Sequence, residues 1–333
     1  MASRAARPGG IGRWGLALIA LAAASCGRPL PRVDVPRRAY VASGDEAFAR
    51  HAPLFVIQSD AEPHNRIGTP VARRDARGRE RVSVDPAKAT AYTQTQEFRT
   101  ARGRYTNLIY RVHFERVPGL HLTTGRNVGL LAIVTLNEAG EPVLLTLVHT
   151  CGCFLAVVPT SYLPADAFPK GWDKAGQTIH GERLPGVLLC PRPFDPAYCP
   201  VPAYRPVLFL RDGTHRVMDV RMERADEAAW RYAVAPLRLE PMAALDRLPL
   251  DGGTTSFFVE DGPRKGFVKD SHKPLERFLI GWWTLDFNVG RDKRFGPREE
   301  SATTFYTSLD PTRRRATDLW RFAECLANLG WGL

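Results

Sequence analysis

The clearest chemical capacity lies in one stretch, Val148-His149-Thr150-Cys151-Gly152-Cys153-Phe154, where two thiols stand one residue apart and an imidazole precedes the first by two. Thiolate and imidazole are ligands that zinc and copper(I) accept. His149, Cys151 and Cys153 are therefore a candidate metal site, with Cys190 or Cys199 as a fourth ligand. The usual zinc spacing is C-x₂₋₄-C, so C-x-C alone is a weak signal. The same sulfurs suit cross-linking better. Two bridges between the Cys151/Cys153 pair and the Cys190/Cys199 pair would pin the proline-rich loop Leu-Leu-Cys-Pro-Arg-Pro-Phe-Asp-Pro-Ala-Tyr-Cys-Pro to the centre of the fold. Each bridge is worth about 2–4 kcal/mol through the entropy of the unfolded chain. A redox or nucleophilic thiol is a third use, without a C-x-x-C motif to support it. Cys325, beside an apolar helical stripe, reads as a buried and inert thiol.

A second group able to do chemistry is His113 and Glu115, two residues apart and preceded by Arg111. With His149 they make candidate acid–base groups for a hydrolase or thiol enzyme, provided that all reach one reacting atom. The plainer reading of Arg111, His113 and Glu115 is the solvated face of an antiparallel strand. His64, in a loop, reads as surface. Thr123-Thr124-Gly125-Arg126-Asn127 has the look of an anion-friendly turn but matches no nucleotide-binding motif. H-E-x-x-H, G-x-S-x-G, S-x-x-K and C-x-x-C-H are all missing, which removes sequence support for the commonest zinc peptidases, serine hydrolases, penicillin-binding enzymes and c-type haem proteins.

These residues need strands to hold them. Leu108, Tyr110, Val112 and Phe114 alternate with Ile109, Arg111, His113 and Glu115, the period of a half-buried strand. Residues 128–136 and 142–150 flank Asn-Glu-Ala-Gly-Glu and form a hairpin apolar on both faces, which places it in the middle of a covered sheet. If the second arm continues as a strand, His149, Cys151 and Cys153 share the face of Val143, Leu145 and Leu147. Asp212-Gly213 marks another hairpin. Residues 43–51 suit a short helix and Ala-Pro-Leu-Phe-Val-Ile-Gln a strand, whereas residues 61–90 read as loop. Residues 230–240, 254–262 and 278–290 read as further strands, with Trp282 and Trp283 packed in the core or, if exposed, forming a binding platform for sugars or peptides. A last helix is expected from Asp310 and Pro311 to Gly330, with Leu319, Phe322, Ala323, Leu326 and Leu329 as its stripe. The expected class is α+β or mainly β: an antiparallel β-rich globular domain over residues 43–333 with a C-terminal helix, and a possible division into two lobes near 225–230.

The first residues say where the domain works. A basic segment with Arg4, Arg7 and Arg13 precedes the apolar run 15–25, too short for the roughly 20 residues of a membrane span and shaped like a secretory signal. Leu21-Ala22-Ala23-Ala24-Ser25-Cys26 resembles the lipobox of bacterial lipoproteins, with Ala23 standing where that family prefers leucine. The resemblance covers the leader alone. It implies removal of residues 1–25, acylation of Cys26 and, with Gly27 after the cysteine, sorting to the outer membrane. Residues 26–42, rich in proline and arginine, read as a tether whose arginines suit anionic headgroups. The net charge of +11 falls to +8 when the three leader arginines are removed. Arginine outnumbers lysine 39 to 7 and is scattered, so an exported chain of this kind is expected to bind no nucleic acid; an envelope protein or polymer is the partner class that fits. The leading expectation is a non-catalytic binding or assembly module, lipid-anchored and disulfide-stabilised. A periplasmic zinc or copper protein and an envelope hydrolase or thiol enzyme are the alternatives.

Overall fold

The computed structural model describes residues 37–190, 204–282, 289–300 and 316–333. Cys26, Cys199, Trp283, Asp310 and Pro311 lie outside the described residues. Within them the chain forms two principal sheets. The larger runs β15(Arg238–Pro241), β5(Thr90–Thr100), β6(Gly103–Val117), β7(Gly125–Leu136), β8(Pro142–His149) and β9(Leu155–Pro159) in that spatial order. The smaller runs β13(Val217–Arg224), β12(Tyr204–Leu210), β2(Leu54–Ile57), β1(Arg38–Val41) and β14(Ala233–Pro236). Three two-stranded ribbons complete the strands: β3(Thr69–Arg74) with β4(Glu80–Asp85), β10(Gln177–Ile179) with β11(Glu182–Leu184), and β16(Leu248–Leu250) with β17(Gly253–Thr255). Pairing is antiparallel except for β1–β14, β2–β12 and β5–β15. The domain is strand-rich with a C-terminal helix.

Side-chain alternation explains the layers. Leu108, Tyr110, Val112 and Phe114 of β6, with Leu130 and Ala132 of β7 and Leu145 and Leu147 of β8, meet Tyr40, Phe55, Ile57, Leu208 and Leu210 of the smaller sheet. The residues between them, Ile109, Leu131, Ile133 and Val148, point to the other face and are covered by Phe257, Phe258, Phe295, Phe322, Leu326 and Trp331. The hairpin β7–β8 is thus buried on both faces, as its two-sided apolarity requires. The outer face of the smaller sheet carries Ala39, Leu54, Val56, Val207 and Phe209, closed by the helix that follows β13. No helix of the described residues is long and apolar enough to cross a membrane.

Among the described residues helices are few: α1(Ala47–His51), α2(Ala225–Arg231), α3(Pro274–Glu276), which runs on as a π-helical turn over Arg277–Gly281, and α4(Phe322–Asn328). Several expectations need correction. The tether ends earlier than residue 42, because Arg38–Val41 already pairs with β2 and β14 and buries Ala39 and Tyr40. Residues 61–90 contain the β3–β4 ribbon, whose exposed arginines hid its period. The run Phe-Leu-Ile-Gly-Trp is helical, and Trp282 is 65% exposed and so outside the core. Residues 225–230 are α2, after which β14 joins the smaller sheet and β15 the larger; the chain on either side of this point builds the same two sheets. Arg111 and His113 are not solvated but wholly buried.

Candidate metal centre

Strand β8 ends at His149 and β9 starts at Leu155, so the segment between them must reverse the chain. His149 N–H donates to the Phe154 carbonyl at 3.1 Å, and Gly152 N–H donates to the His149 carbonyl at 2.7 Å. Gly152 has φ +85°, the left-handed region that glycine enters without steric cost. The strand does not continue as the alternation suggests; a curl gathers the three side chains instead. The ligand atoms of His149, Cys151 and Cys153 all lie within 4.8 Å of one another. A Gly152→Ala substitution is expected to cost about 1–2 kcal/mol from the left-handed backbone alone, read as a fall in the urea midpoint, and to loosen the trio.

The imidazole is held by both nitrogens. Nε2 of His149 lies 3.3 Å from the carbonyl of His215, and Nδ1 lies 3.7 Å from Sγ of Cys153. A carbonyl can only accept, so Nε2 carries the proton and the Nδ1 lone pair faces the thiols. Burial, helped by the charge of Lys273, pushes the His149 pKa down to about 3, so the ring is neutral at ordinary pH. His215 is itself fixed by donation from Nε2 to the His64 carbonyl at 2.9 Å and by stacking on Phe114 at 4.0 Å between ring centroids.

The two thiols differ. Cys151 is fully buried and Cys153 half-buried. Cys153 N–H donates to Sγ of Cys151 at 3.3 Å. Burial opposes ionisation of Cys151, but the hydrogen bond from the Cys153 thiol and the Lys273 ammonium outweigh it and hold the Cys151 thiol below its usual range. The bond with Cys151, with burial, raises Cys153 well above. The two thiols titrate as a coupled pair beside the Lys273 cation, with Cys151 the more acidic.

Beneath the turn lies a buried polar cluster that no local sequence pattern announces. Asp292, with no exposed surface, accepts from the Thr150 hydroxyl, from Gly129 N–H at 3.2 Å and from the Ser271 hydroxyl at 3.0 Å. Its Oδ2 is 3.6 Å from Nζ of Lys273, which is 2% exposed. Burial pushes the Lys273 ammonium down, yet Asp292 and the two thiols more than offset it and hold the group charged. Burial raises the Glu276 carboxyl beside it. Lys293 donates to the Cys151 carbonyl at 3.4 Å, and Arg111 donates to the Lys293 carbonyl at 2.7 Å and to Nε2 of His113 at 2.9 Å. A side chain at position 129 would not fit, since a Cβ there would stand 2.8 Å from the Thr150 hydroxyl.

The acid–base trio is not brought together. His113 pairs with Gly129 and His149 with Leu130, and neighbouring residues of one strand point to opposite faces. His113 and His149 therefore lie on opposite sides of the sheet. Glu115 lines a different, open cleft with Arg81, Arg116 and Arg126. Cys190 is also away from the turn: its N–H donates to the Ser161 hydroxyl at 3.0 Å and its thiol to the Leu188 carbonyl at 3.8 Å. Cys151, Cys153, Cys190 and Cys325 are free thiols, so no bridge joins Cys190 to the turn. Burial pushes the Cys190 thiol up to about 11 and Cys325 up to about 12, which leaves both protonated. Lys273, Asp292, Glu276 and His215 were not singled out by sequence; their contacts with the turn span from 66 to 142 residues of chain.

The chain matches no protein-family model, and no curated protein and no solved structure is significantly similar to it.

Proposed function

We propose that this chain is an exported, lipid-anchored binding protein of the bacterial envelope that holds a soft metal ion, copper(I), through Nδ1 of His149 and the sulfurs of Cys151 and Cys153. One observation carries the reading: the tautomer of His149 is fixed by the His215 carbonyl so that its free lone pair faces two thiols. Metal-bound histidines commonly have the other nitrogen tied to such an acceptor. Soft sulfur donors favour copper(I). Structural zinc asks for four ligands, whereas the described residues gather three. Anchoring rests on the leader's resemblance to a lipobox at Cys26, and copper is the cargo that this anchored module would keep near the membrane.

The test is a copper(I) titration against a competing chelator on the purified mature protein. Loss of a second-shell partner costs roughly 10–100-fold in affinity. Cys151→Ser, which removes a direct ligand, is expected to cost at least that, while Cys190→Ser leaves affinity unchanged. Equal affinity in all three proteins contradicts the reading. A second reading, redox chemistry at the thiol pair, is favoured by the hydrogen bond from Cys153 N–H to Cys151. Its mark is a Cys151–Cys153 disulfide that forms reversibly in metal-free protein.

A further inference from the structure

Around Lys273, three segments of the described residues bring positive charge together. Arg291 follows Gly290, whose Cα is packed so that a Cβ would stand 3.3 Å from the Cβ atoms of Lys273 and Glu276. The next residue, Asp292, accepts from Val268 N–H at 2.9 Å and donates its own N–H to the Ser271 hydroxyl at 3.2 Å, which sets Arg291 beside His272. Arg277 N–H donates to the Lys273 carbonyl at 3.0 Å, and the Arg264 carbonyl accepts from Phe267 N–H at 3.1 Å, Phe267 being bridged to Lys293. Backbone contacts thus hold His272, Arg277 and Arg291 around Lys273, with Arg264 on the segment bridged to Lys293.

Arg291 is only 7% exposed, and its Nε is shut off from solvent without a hydrogen-bond partner. Buried guanidinium groups are ordinarily paired. Among the described residues no carboxylate forms an ion pair with Arg291, Arg264, Arg277 or His272. Burial lowers the Arg291 pKa and the charges of Arg264 and Arg277 lower it further; His272 is lowered by burial and by all three arginines. Mutual repulsion of this kind is relieved by an anion. Phe278, next in the chain to Arg277, and Trp282, four residues further on, are 66% and 65% exposed.

We propose that Arg291, Arg264, Arg277 and His272 form a binding site for a phosphate group, with Phe278 and Trp282 placed to take the apolar part of a phosphate-bearing amphiphile. Guanidinium forks match phosphate oxygens in pairs, and aromatic rings beside arginine suit the boundary between headgroup and acyl chain. The site is separate from the metal centre and does not depend on it.

The test uses the full-length protein in neutral detergent micelles, followed by tryptophan fluorescence and calorimetry. Inorganic phosphate is titrated in one arm and a short-chain phosphatidylglycerol in the other. Binding in the first arm identifies free phosphate as the ligand, and binding only in the second identifies a lipid headgroup. In either case Arg264→Gln, at the surface, and Arg277→Gln, half-buried, are expected to weaken binding at least tenfold, and Arg291→Gln more where it folds. No binding of either compound at millimolar concentration overturns the proposal, as does undiminished binding by the Arg264 and Arg277 variants.

Discussion

Replacing Asp292 by alanine is expected to lower the stability of the domain by about 3–5 kcal/mol, the range for breaking a buried ion pair by removing one partner. The size of the effect follows from what is left behind. Lys273 stays 2% exposed with its charge uncompensated, and the Thr150 and Ser271 hydroxyls and Gly129 N–H lose a shared acceptor. Each orphaned buried donor adds roughly 1–3 kcal/mol of its own before relaxation. A double variant, Lys273→Met with Asp292→Asn, removes both charges and is expected to recover part of the loss. Urea unfolding read by circular dichroism measures all three proteins. A loss below 1 kcal/mol in Asp292→Ala would mean that the cluster is wetter than its burial implies.

Acidification is expected to act nearly as strongly. His113, His149 and His215 are fully buried and neutral. Burial, with the charge of Arg111, holds His113 well below its ordinary value; burial, with Lys273, brings His149 to about 3; and burial, with His149, brings His215 to about 3. Folded-state values lie below the unfolded value of about 6.5, so the unfolded chain binds more protons as pH falls. Stability is therefore flat above pH 7 and lost on going down through 6.5 toward 3. At pH 5.5 each histidine costs about 1.4 kcal/mol, and the three together about 4 kcal/mol. Glu276, whose carboxyl burial raises, works in the opposite direction. Metal-free protein unfolded in urea at pH 7.5 and 5.5 provides the measurement. Equal midpoints would show that these rings protonate in place.

The dithiol trio was legible in the sequence because residue type and spacing are local properties, but its shared face was expected only if the strand continued. Alternation along β8 would carry a strand through Cys153, whereas β8 ends at His149 and Gly152 at φ +85° curls the chain. The result, three ligands on one side, is the same for a different reason. Arg111 and His113 show the limit of periodicity from the other direction. Alternation identifies which residues share a face, not whether that face meets water, and here residues from 257 onward cover it. The same covering segment supplies Lys273, Glu276 and Asp292, which no window around residue 150 contains. The hairpins β7–β8 and β12–β13 were readable because turn chemistry and apolar arms agree. The Phe-Leu-Ile-Gly-Trp run was not, since a short apolar stretch fits a buried strand or a helix equally.

X-ray absorption at the copper edge of the mature protein, loaded with one equivalent of copper(I) and washed, tests the central claim most directly. The account predicts one tightly retained copper with two sulfur and one nitrogen neighbours, and a spectrum that loses a sulfur in Cys151→Ser. Copper that washes out, or a Cys153 found bridged to Cys190 or Cys199 by mass spectrometry, would contradict it.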